Sequence, residues 1–162
     1  MKTLMFVILS VLALQKGFAQ DDQPPFKKDK TIPNFEIEKT DKTIFSSSKL
    51  KKNVPVIIMF FSPTCEHCLH QMDEMVKRSN DLKKFQFVLA TYQPEEELVA
   101  FNQKYKITKY PNFVTGRDTK YFLPPYYQIS NFPFLAYYDK NGKLLGSTEG
   151  TVSVDDMLKR MK

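Results

Sequence analysis

Two short runs of apolar residues stand out against the polar parts of the chain. Residues 54–61 read VPVIIMFF, and residues 85–92 read FQFVLATY. Both runs are rich in β-branched and aromatic residues and are too short for a good helix, so they predict two buried central strands. Pro55 fits only at the very start of the first strand, where a missing N–H is tolerated.

Each of these strands is followed by a segment with helical periodicity. The first segment, residues 66–79, carries apolar residues at helical spacing, namely Leu69, Met72 and Val76. The second segment opens with Pro94 and three glutamates, whose charges suit the positive end of a helix dipole. It continues with Leu98, Phe101 and Tyr105 on one face. The pattern therefore predicts two amphipathic helices.

Two hairpins are predicted, one near each end of the folded part of the chain. Residues 35–37 and 43–45 flank a charged turn at 39–42. Residues 133–139 and 143–147 are joined through Asn141 and Gly142, and Asn-Gly between apolar stretches is a strong hairpin signal.

The end of the chain predicts a last helix, capped by Ser153 and carrying Met157, Leu158 and Met161 on its apolar side. Residues 107–129 show few periodic signals and many aromatics, and we assign them no element. Helices that connect successive strands imply a parallel section of sheet, and the hairpins add an antiparallel section. The predicted fold class is α/β, with a central mixed sheet flanked by helices and an N-terminal β-hairpin.

The composition fits one compact domain. The chain has 162 residues, of which 42% are hydrophobic and 26% charged. The net charge is +6, but 24 Lys and Arg residues are spread among 18 Asp and Glu residues along the whole length. A solvated surface explains this distribution better than a nucleic-acid partner does, so no nucleic-acid binding is expected.

The first residues resemble a secretory signal peptide. Lys2 precedes an apolar stretch over 4–14, and Gly17 and Ala19 supply the small residues of a cleavage site before Gln20. Because the stretch is shorter than the about 20 residues that cross a bilayer, a cleaved signal over 1–19 is favoured over an uncleaved anchor. We therefore expect an exported protein, periplasmic in a Gram-negative bacterium, with no membrane span after cleavage. Residues 20–31 are polar, and we interpret them as a flexible leader. The folded domain is predicted to span residues 32–162.

Both cysteines of the chain fall in one motif, Cys65-Glu66-His67-Cys68, at a predicted strand-to-helix junction. A first cysteine placed there faces unpaired N–H groups and the positive end of the helix dipole, which favour the thiolate. The second cysteine, one turn later, can then attack a mixed disulfide. His67 adds a donor or a positive charge beside the thiolate. A structural disulfide is disfavoured, because so small a loop gives little stabilisation.

Three segments resemble the thioredoxin superfamily, in particular its exported TlpA/ResA-like thiol-disulfide oxidoreductases. They are residues 32–37 with 54–61, residues 61–68 (FSPTCEHC), and residues 132–143 (FPFLAYYDKNGK) followed by 150–152. The resemblance implies a thioredoxin-like fold with a cis Pro133 against the dithiol. It implies Cys65, Cys68, His67 and Pro133 as catalytic residues, and substrate contacts from Phe132, Glu66 and Thr64.

The chain also departs from the family pattern. Thr64 replaces the usual Trp before the first cysteine, and Glu66-His67 replaces a proline-containing dipeptide. Met59 and Gln71 stand where members of the superfamily carry a buried acid, so the proton path for Cys68 is left unassigned. The nearby acidic residues, Glu66, Asp73 and Glu74, are expected to face solvent.

The resulting functional prediction is disulfide exchange with protein thiols or disulfides and with an upstream redox partner, by a monomer. No cofactor is expected, because the dithiol is itself the redox group. Neither the direction of electron flow nor the client is specified by the sequence.

Two alternative functions stay open. One is a copper or zinc carrier using Cys65, Cys68 and a nearby histidine, His67 or His70. The other, peroxide reduction as in peroxiredoxins, fits less well because Ser62 occupies the place of their threonine.

A cluster of aromatic side chains also has two possible interpretations. Tyr121, Phe122, Tyr126 and Tyr127 could line a client groove near the dithiol. Core packing and loop anchoring are the favoured reading of these four side chains.

Overall fold

The structure, a computed structural model, describes residues 23–162, and in this range the strands form one seven-stranded mixed sheet. Their order in the sheet is β2-β1-β5-β4-β3-β6-β7. This confirms the predicted α/β class and the N-terminal hairpin. The strands are β1 (Glu36–Glu38), β2 (Ile44–Ser46), β3 (Val56–Phe60), β4 (Gln86–Thr91), β5 (Phe113–Arg117), β6 (Phe134–Tyr138) and β7 (Leu144–Glu149).

Helices flank the sheet, and the three predicted helices are confirmed. The α-helices are α1 (Pro25–Lys28), α2 (Glu66–Lys77), α3 (Ser79–Leu82), α4 (Glu95–Tyr105), α5 (Leu123–Tyr127) and α6 (Val154–Arg160). Single 3-10 turns span Ser47–Lys49 and Ile107–Lys109. The predicted cap of the last helix is also present, since the Ser153 hydroxyl accepts a hydrogen bond from the Asp156 N–H at 3.1 Å.

The strand directions bring distant parts of the chain to the same end of the sheet. β3, β4 and β5 are parallel, whereas β6 is antiparallel to β3 with Phe60 opposite Phe134. The chain therefore leaves β3, β4 and β5 where it enters β6. We call this end the carboxyl edge, which holds the loops 61–65, 92–94, 118–122, 131–133 and 150–153. We call the other end the amino edge, which holds the loops 51–55, 83–85, 110–112 and 139–143.

The sheet is buried on both faces, which explains its continuous apolar runs. In β3, Ile57 and Met59 point into a core shared with α2, α4 and α6. Val56, Ile58 and Phe60 point into a second core on the other face, closed by α1 and α5. Alternation along a strand sends successive side chains to opposite faces, so a strand with helices on both sides needs apolar residues at every position.

The strand β5 lies in the segment that the sequence left without an element. It reads Phe-Val-Thr-Gly-Arg and pairs in parallel with β4. Gly116 is required there, because a Cβ atom at this position would lie 2.8 Å from the Ile37 side chain. A short strand with a glycine and a terminal arginine carries too weak a pattern for prediction, and pairing with β4 and β1 decides its structure.

The described part of the predicted leader contains a short helix. Residues 25–28 form α1, and Phe26 is only 4% exposed, with its ring 5.3 Å from that of Tyr127. Burial of this one aromatic side chain holds the segment against the second core. The predicted signal peptide, 1–19, lies outside the described residues. Within the described range, no helix has the length and apolar character needed to cross a membrane.

Candidate active site

Cys65 occupies the N-cap of α2 at the carboxyl edge. The chain leaves β3 at Phe60, turns, and is closed by a hydrogen bond from the Cys65 N–H to the Ser62 carbonyl at 3.2 Å. The Cys65 carbonyl then accepts the first helical bond, from the Leu69 N–H at 2.9 Å. The Cys65 side chain is half-buried, so it keeps partial access to solvent, and it lies at the positive end of the helix without making a capping hydrogen bond.

Cys68 lies one turn further along α2 and is fully buried. Burial raises the pKa of its thiol to about 12, and a hydrogen bond with Cys65 acts in the same direction. A hydrogen bond with the Ser62 backbone partly opposes this shift of the Cys68 pKa. Both cysteines are free thiols in the structure. The two sulfurs are therefore unlike: one is accessible, and the other is buried and held in its protonated form.

Three further predicted site residues surround the accessible sulfur. Thr64, Glu66 and His67 are all exposed, with Glu66 in the first turn of α2. The Thr64 hydroxyl lies 3.3 Å from that of Ser62, which is itself buried. The structure thus places these side chains on the rim beside Cys65, where they can meet an incoming molecule. Their roles stay predictions.

Pro133 lies at the same edge as the dithiol because β6 begins there. The Phe132–Pro133 peptide bond is cis, which confirms the conformation implied by the family resemblance. The Pro133 carbonyl accepts a hydrogen bond from the Gly150 N–H at 2.8 Å, which ties this turn to the loop after β7. The Phe132 ring is partly buried, 5.9 Å from that of Phe60.

Gln71 has a function that the sequence did not predict. Its side chain is fully buried on α2, and its amide pairs with the backbone of Val152. Gln71 Nε2 donates to the Val152 carbonyl at 3.0 Å, and Gln71 Oε1 accepts from the Val152 N–H at 2.7 Å. Because Gly150 in the same loop holds Pro133, this amide connects the helix of the dithiol to the cis-proline turn.

The acidic residues near the dithiol lie mostly where the sequence predicted. Glu66 and Asp73 are exposed, whereas Glu74 is half-buried. Met59 is fully buried in the core, as is Gln71 on α2. Both positions at which the family resemblance implied an acid thus hold neutral, buried side chains.

The aromatic residues of 121–127 differ in their exposure. Tyr127 is buried, and its hydroxyl lies 2.7 Å from that of Tyr138, as the packing reading predicts. Tyr121, in contrast, is 57% exposed at the carboxyl edge, with its ring 5.6 Å from Tyr92. Sequence reasoning gave Tyr92 no role. Its place directly after a buried strand, the same placement as the dithiol loop, is the signal that could have identified it.

The described residues offer no ligand set for a metal ion. Between residues 23 and 162, no three His, Cys, Asp or Glu side chains lie close enough together to hold one. His70 is exposed on α2. The metal-carrier alternative thus has no supporting geometry in this range.

Comparison with known proteins gives one family and many structural neighbours. The family model for a thioredoxin-like domain matches residues 47–162. No curated protein matches the chain. A secreted Mycobacterium tuberculosis disulfide oxidoreductase, described as homologous to E. coli DsbE, is 18% identical, with a TM-score of 0.66 over 78% of this chain and 93% of that one.

Two other solved structures are similar to the same degree. A thiol-disulfide oxidoreductase from Bacteroides fragilis is 17% identical, with a TM-score of 0.65 over 80% of this chain and 98% of that one. StoA from Bacillus subtilis is 16% identical, with a TM-score of 0.62 over 79% and 96%. Because these sequence identities are low, the similarity to the three structures shows that this chain shares their fold.

Proposed function

The chain belongs to the thioredoxin-like family, and on this premise we propose that it is an exported thiol-disulfide oxidoreductase that exchanges disulfides with protein clients. The observation that carries the proposal is the contrast between the two sulfurs of one motif. Cys65 is accessible at a helix N-cap, whereas Cys68 is buried with its pKa raised to about 12. A nucleophile must reach its target, and a resolving thiol must wait until the target is bound.

The proposed reaction moves two electrons in two steps. The Cys65 thiolate attacks one sulfur of a client disulfide, forming a mixed disulfide and releasing the other client sulfur as a thiolate that takes up a proton. Cys68 then loses its proton and attacks the Cys65 sulfur, which frees the first client sulfur as a second thiol. The client is reduced and Cys65 and Cys68 become a disulfide. The reverse sequence oxidises a client dithiol.

The surrounding residues are proposed to assist this exchange. His67 stabilises the thiolate through its donor or its positive charge, and Pro133 shapes the surface that faces Cys65. Phe132 offers backbone groups to an extended client segment, and the exposed Thr64 and Glu66 contact the client beside it. An upstream redox partner would return the dithiol to its starting state, and the protein acts as a monomer.

The proposal of export is supported by the signal-like pattern of the first nineteen residues. A similar structure belongs to a protein named as secreted. Expression of the full chain in a Gram-negative host tests this proposal. The expected product is periplasmic and begins at Gln20. A cytoplasmic product that keeps Met1 would contradict export.

Two cysteine variants test the exchange. Cys65→Ser should abolish disulfide exchange, because no accessible sulfur remains. Cys68→Ser should accumulate mixed disulfides with clients, because nothing resolves them. His70→Ala, on the exposed side of the same helix, is the matched control and should exchange normally. Full activity of Cys65→Ser would show that the mechanism is wrong.

The reduction potential decides the direction of electron flow. It can be titrated in glutathione buffers and measured by thiol alkylation. A potential near about −120 mV would identify a disulfide donor, and one near or below roughly −270 mV a reductant fed by an upstream partner. The absence of any reversible couple would contradict the proposed function.

A further inference from the structure

Tyr121 is an exposed aromatic residue in a strained backbone conformation. Its φ is 50°, in the left-handed region that residues other than glycine, asparagine and aspartate rarely adopt. Such strain persists where the surrounding structure imposes it, and it is concentrated at functional sites.

A buried carboxylate holds the loop 118–122 in this conformation. Asp118 is only 2% exposed. Its Oδ1 accepts from the Phe122 N–H at 3.0 Å, and its Oδ2 accepts from the Leu123 N–H at 2.7 Å. The Asp118 carbonyl also accepts from the Tyr121 N–H at 3.1 Å. Three hydrogen bonds to one residue therefore fix the backbone on both sides of Tyr121 while its ring stays in solvent.

The Tyr121 ring is the outer end of a row of aromatic rings that begins beside Pro133. The ring of Phe132 lies 6.2 Å from that of Tyr92, which lies 5.6 Å from that of Tyr121. We call these three side chains the aromatic ledge. Tyr92 and Tyr121 are 39% and 57% exposed, so the ledge presents ring faces and edges to solvent.

The ledge coincides with a concentration of exposed apolar surface. Within residues 23–162, the exposed large hydrophobic side chains are Ile44, Tyr92, Tyr121, Phe122 and Leu145. Three of these five lie on or next to the ledge. Clustered exposed apolar side chains indicate an interaction surface, whereas scattered ones are ordinary.

The ledge continues into a groove of about 720 Å³ between the N-terminal hairpin and α5. Tyr121, Phe122 and Tyr126 line one side, and Phe35 lines the other. An ion pair between Lys120 and Glu36, with 2.6 Å between Nζ and Oε2, lies among the lining residues. Aromatic side chains and polar groups thus line the groove together, and Tyr121 belongs to both the groove and the ledge.

We propose that the aromatic ledge binds an extended segment of the protein client whose cysteine reacts with Cys65, and that it selects segments with an aromatic or large aliphatic side chain near that cysteine. This inference rests on the proposed function. The occupant follows from continuity: Cys65 follows β3 and Phe132 precedes the neighbouring strand β6 at the same edge of the sheet, and the ledge leads on from Phe132. Its two ring separations, 6.2 and 5.6 Å, correspond to about three to four residues of an extended chain.

The chemistry of the ledge suits such a side chain. Aromatic rings pair edge-to-face or offset with other rings and bury much apolar area on contact. Because Asp118 fixes the loop beforehand, Tyr121 does not have to be ordered when the client binds, and a preorganised surface loses less entropy on binding.

The test measures mixed-disulfide formation by the Cys68→Ser protein. Its substrates are cysteine peptides activated as disulfides, identical except for Phe or Ser four residues from the cysteine, with pairs made for both sides of the cysteine. In one of these arrangements the Phe peptide should react at least fivefold faster than the Ser peptide. Adding Tyr121→Asn should reduce the ratio to below twofold, because the outer ring of the ledge is lost.

Tyr121→Asn separates binding from folding. Asparagine adopts the left-handed region more readily than tyrosine does, and this gain offsets the lost ring contact with Tyr92, so the Tm of the variant should change little. Leu145→Asn, at an exposed apolar position on β7 near the amino edge, is the matched control and should keep the peptide preference.

Three results would overturn the inference. One is an unchanged preference in the Tyr121→Asn protein, and another is a lower Tm with slower reaction of glutathione disulfide, which would mean a structural role. The third is a dimer that Tyr121→Asn dissociates, which would make a second copy of the chain the occupant. Failure of the Cys68→Ser protein to react with any disulfide, glutathione disulfide included, would instead overturn the proposed function.

Discussion

The two edges of the sheet are held by the same kind of hydrogen bond but expose different chemistry. At the amino edge, Gln86 pairs with the backbone of Lys51, with its Nε2 donating to the Lys51 carbonyl at 3.0 Å and its Oε1 accepting from the Lys51 N–H at 2.7 Å. Asn112 donates to the carbonyls of Leu82 and Phe85 at 3.2 and 3.0 Å. The side chains that this edge exposes to solvent are mainly those of lysines and turn residues, in the loops 51–55, 83–85 and 139–143.

At the carboxyl edge, Gln71 and Asp118 hold loops in the same way, but the groups beyond them are reactive or apolar. Cys65 projects from one loop and Tyr121 from another. The comparison teaches that a rigid loop by itself indicates no function, whereas rigid loops beside an accessible thiol or an exposed ring do. Ligands of open α/β sheets bind outside the carboxyl ends of the strands, in agreement with this difference.

The largest expected effect on stability comes from replacing the glutamine that pairs with the backbone at each edge. Gln71→Leu leaves the N–H and C=O of Val152 without partners inside the protein and should lower the free energy of unfolding by about 2–3 kcal/mol. Gln86→Leu should lower it by only about 1 kcal/mol, because Lys51 is exposed and water replaces the lost partner. Urea unfolding of both variants gives the two values.

Exchange kinetics sharpen the same comparison. Gln71→Leu should also slow disulfide exchange by the folded protein, since the loop that holds Pro133 is released from α2. Gln86→Leu should exchange at the normal rate. Equal effects of the two substitutions on exchange would contradict a special role for the carboxyl edge.

A second pair of variants compares two aspartates, one at each edge, that accept hydrogen bonds from backbone N–H groups. Asp118→Ala should cost about 1–2 kcal/mol of stability, because the Leu123 N–H is buried and loses its partner. Asp139 accepts from the exposed Asn141 and Lys143, each at 2.8 Å, so Asp139→Ala should cost less than about 1 kcal/mol. Thermal unfolding measures both, and a reversed order would contradict the comparison.

The pH dependence of stability isolates the buried thiol. The Cys68 pKa is raised to about 12 in the folded protein, so an unfolded chain loses this proton at a lower pH than the folded one does. The contribution of this thiol to the free energy of unfolding is therefore complete below about pH 8. It decreases as the pH rises, by about 1 kcal/mol between pH 7 and 9.5. Buried tyrosines such as Tyr127 and Tyr138 have raised pKa values and add a decrease at high pH in both proteins, so unfolding under reducing conditions should show a decrease that is larger for the wild type than for Cys68→Ser by this amount. Identical pH profiles would contradict it.

The smallest effect is expected from an exposed ion pair. Lys120 and Glu36 are 70% and 47% exposed, and their proximity lowers the pKa of Glu36. Salt and water screen such pairs, so Lys120→Ala should leave the Tm unchanged within error at physiological ionic strength. A loss of stability as large as that of Asp118→Ala would show that charge, and not buried hydrogen bonding, holds this edge.

Several elements could be predicted because their signal is local. The runs 54–61 and 85–92 are apolar throughout, and a strand buried on both faces requires that pattern. The cysteine motif between a strand and a helix likewise predicted the place of the thiols. The strand β5 and the helix α1 escaped prediction, because pairing with β4 and the burial of Phe26 stabilise them more than their own sequence does.

The candidate site likewise has features that the sequence predicted and features that only the tertiary structure decided. The sequence determined that the chain carries one cysteine pair at a helix start, with a proline before a hairpin far away in the chain. Tertiary structure alone decided that Gln71 joins these two regions through Val152 and that Tyr92 and Tyr121 form a ledge beside them. The physical reason is the separation of the partners along the chain. Helix caps, turns and apolar runs depend on residues close in sequence, whereas these contacts join residues that come together only when the sheet has formed.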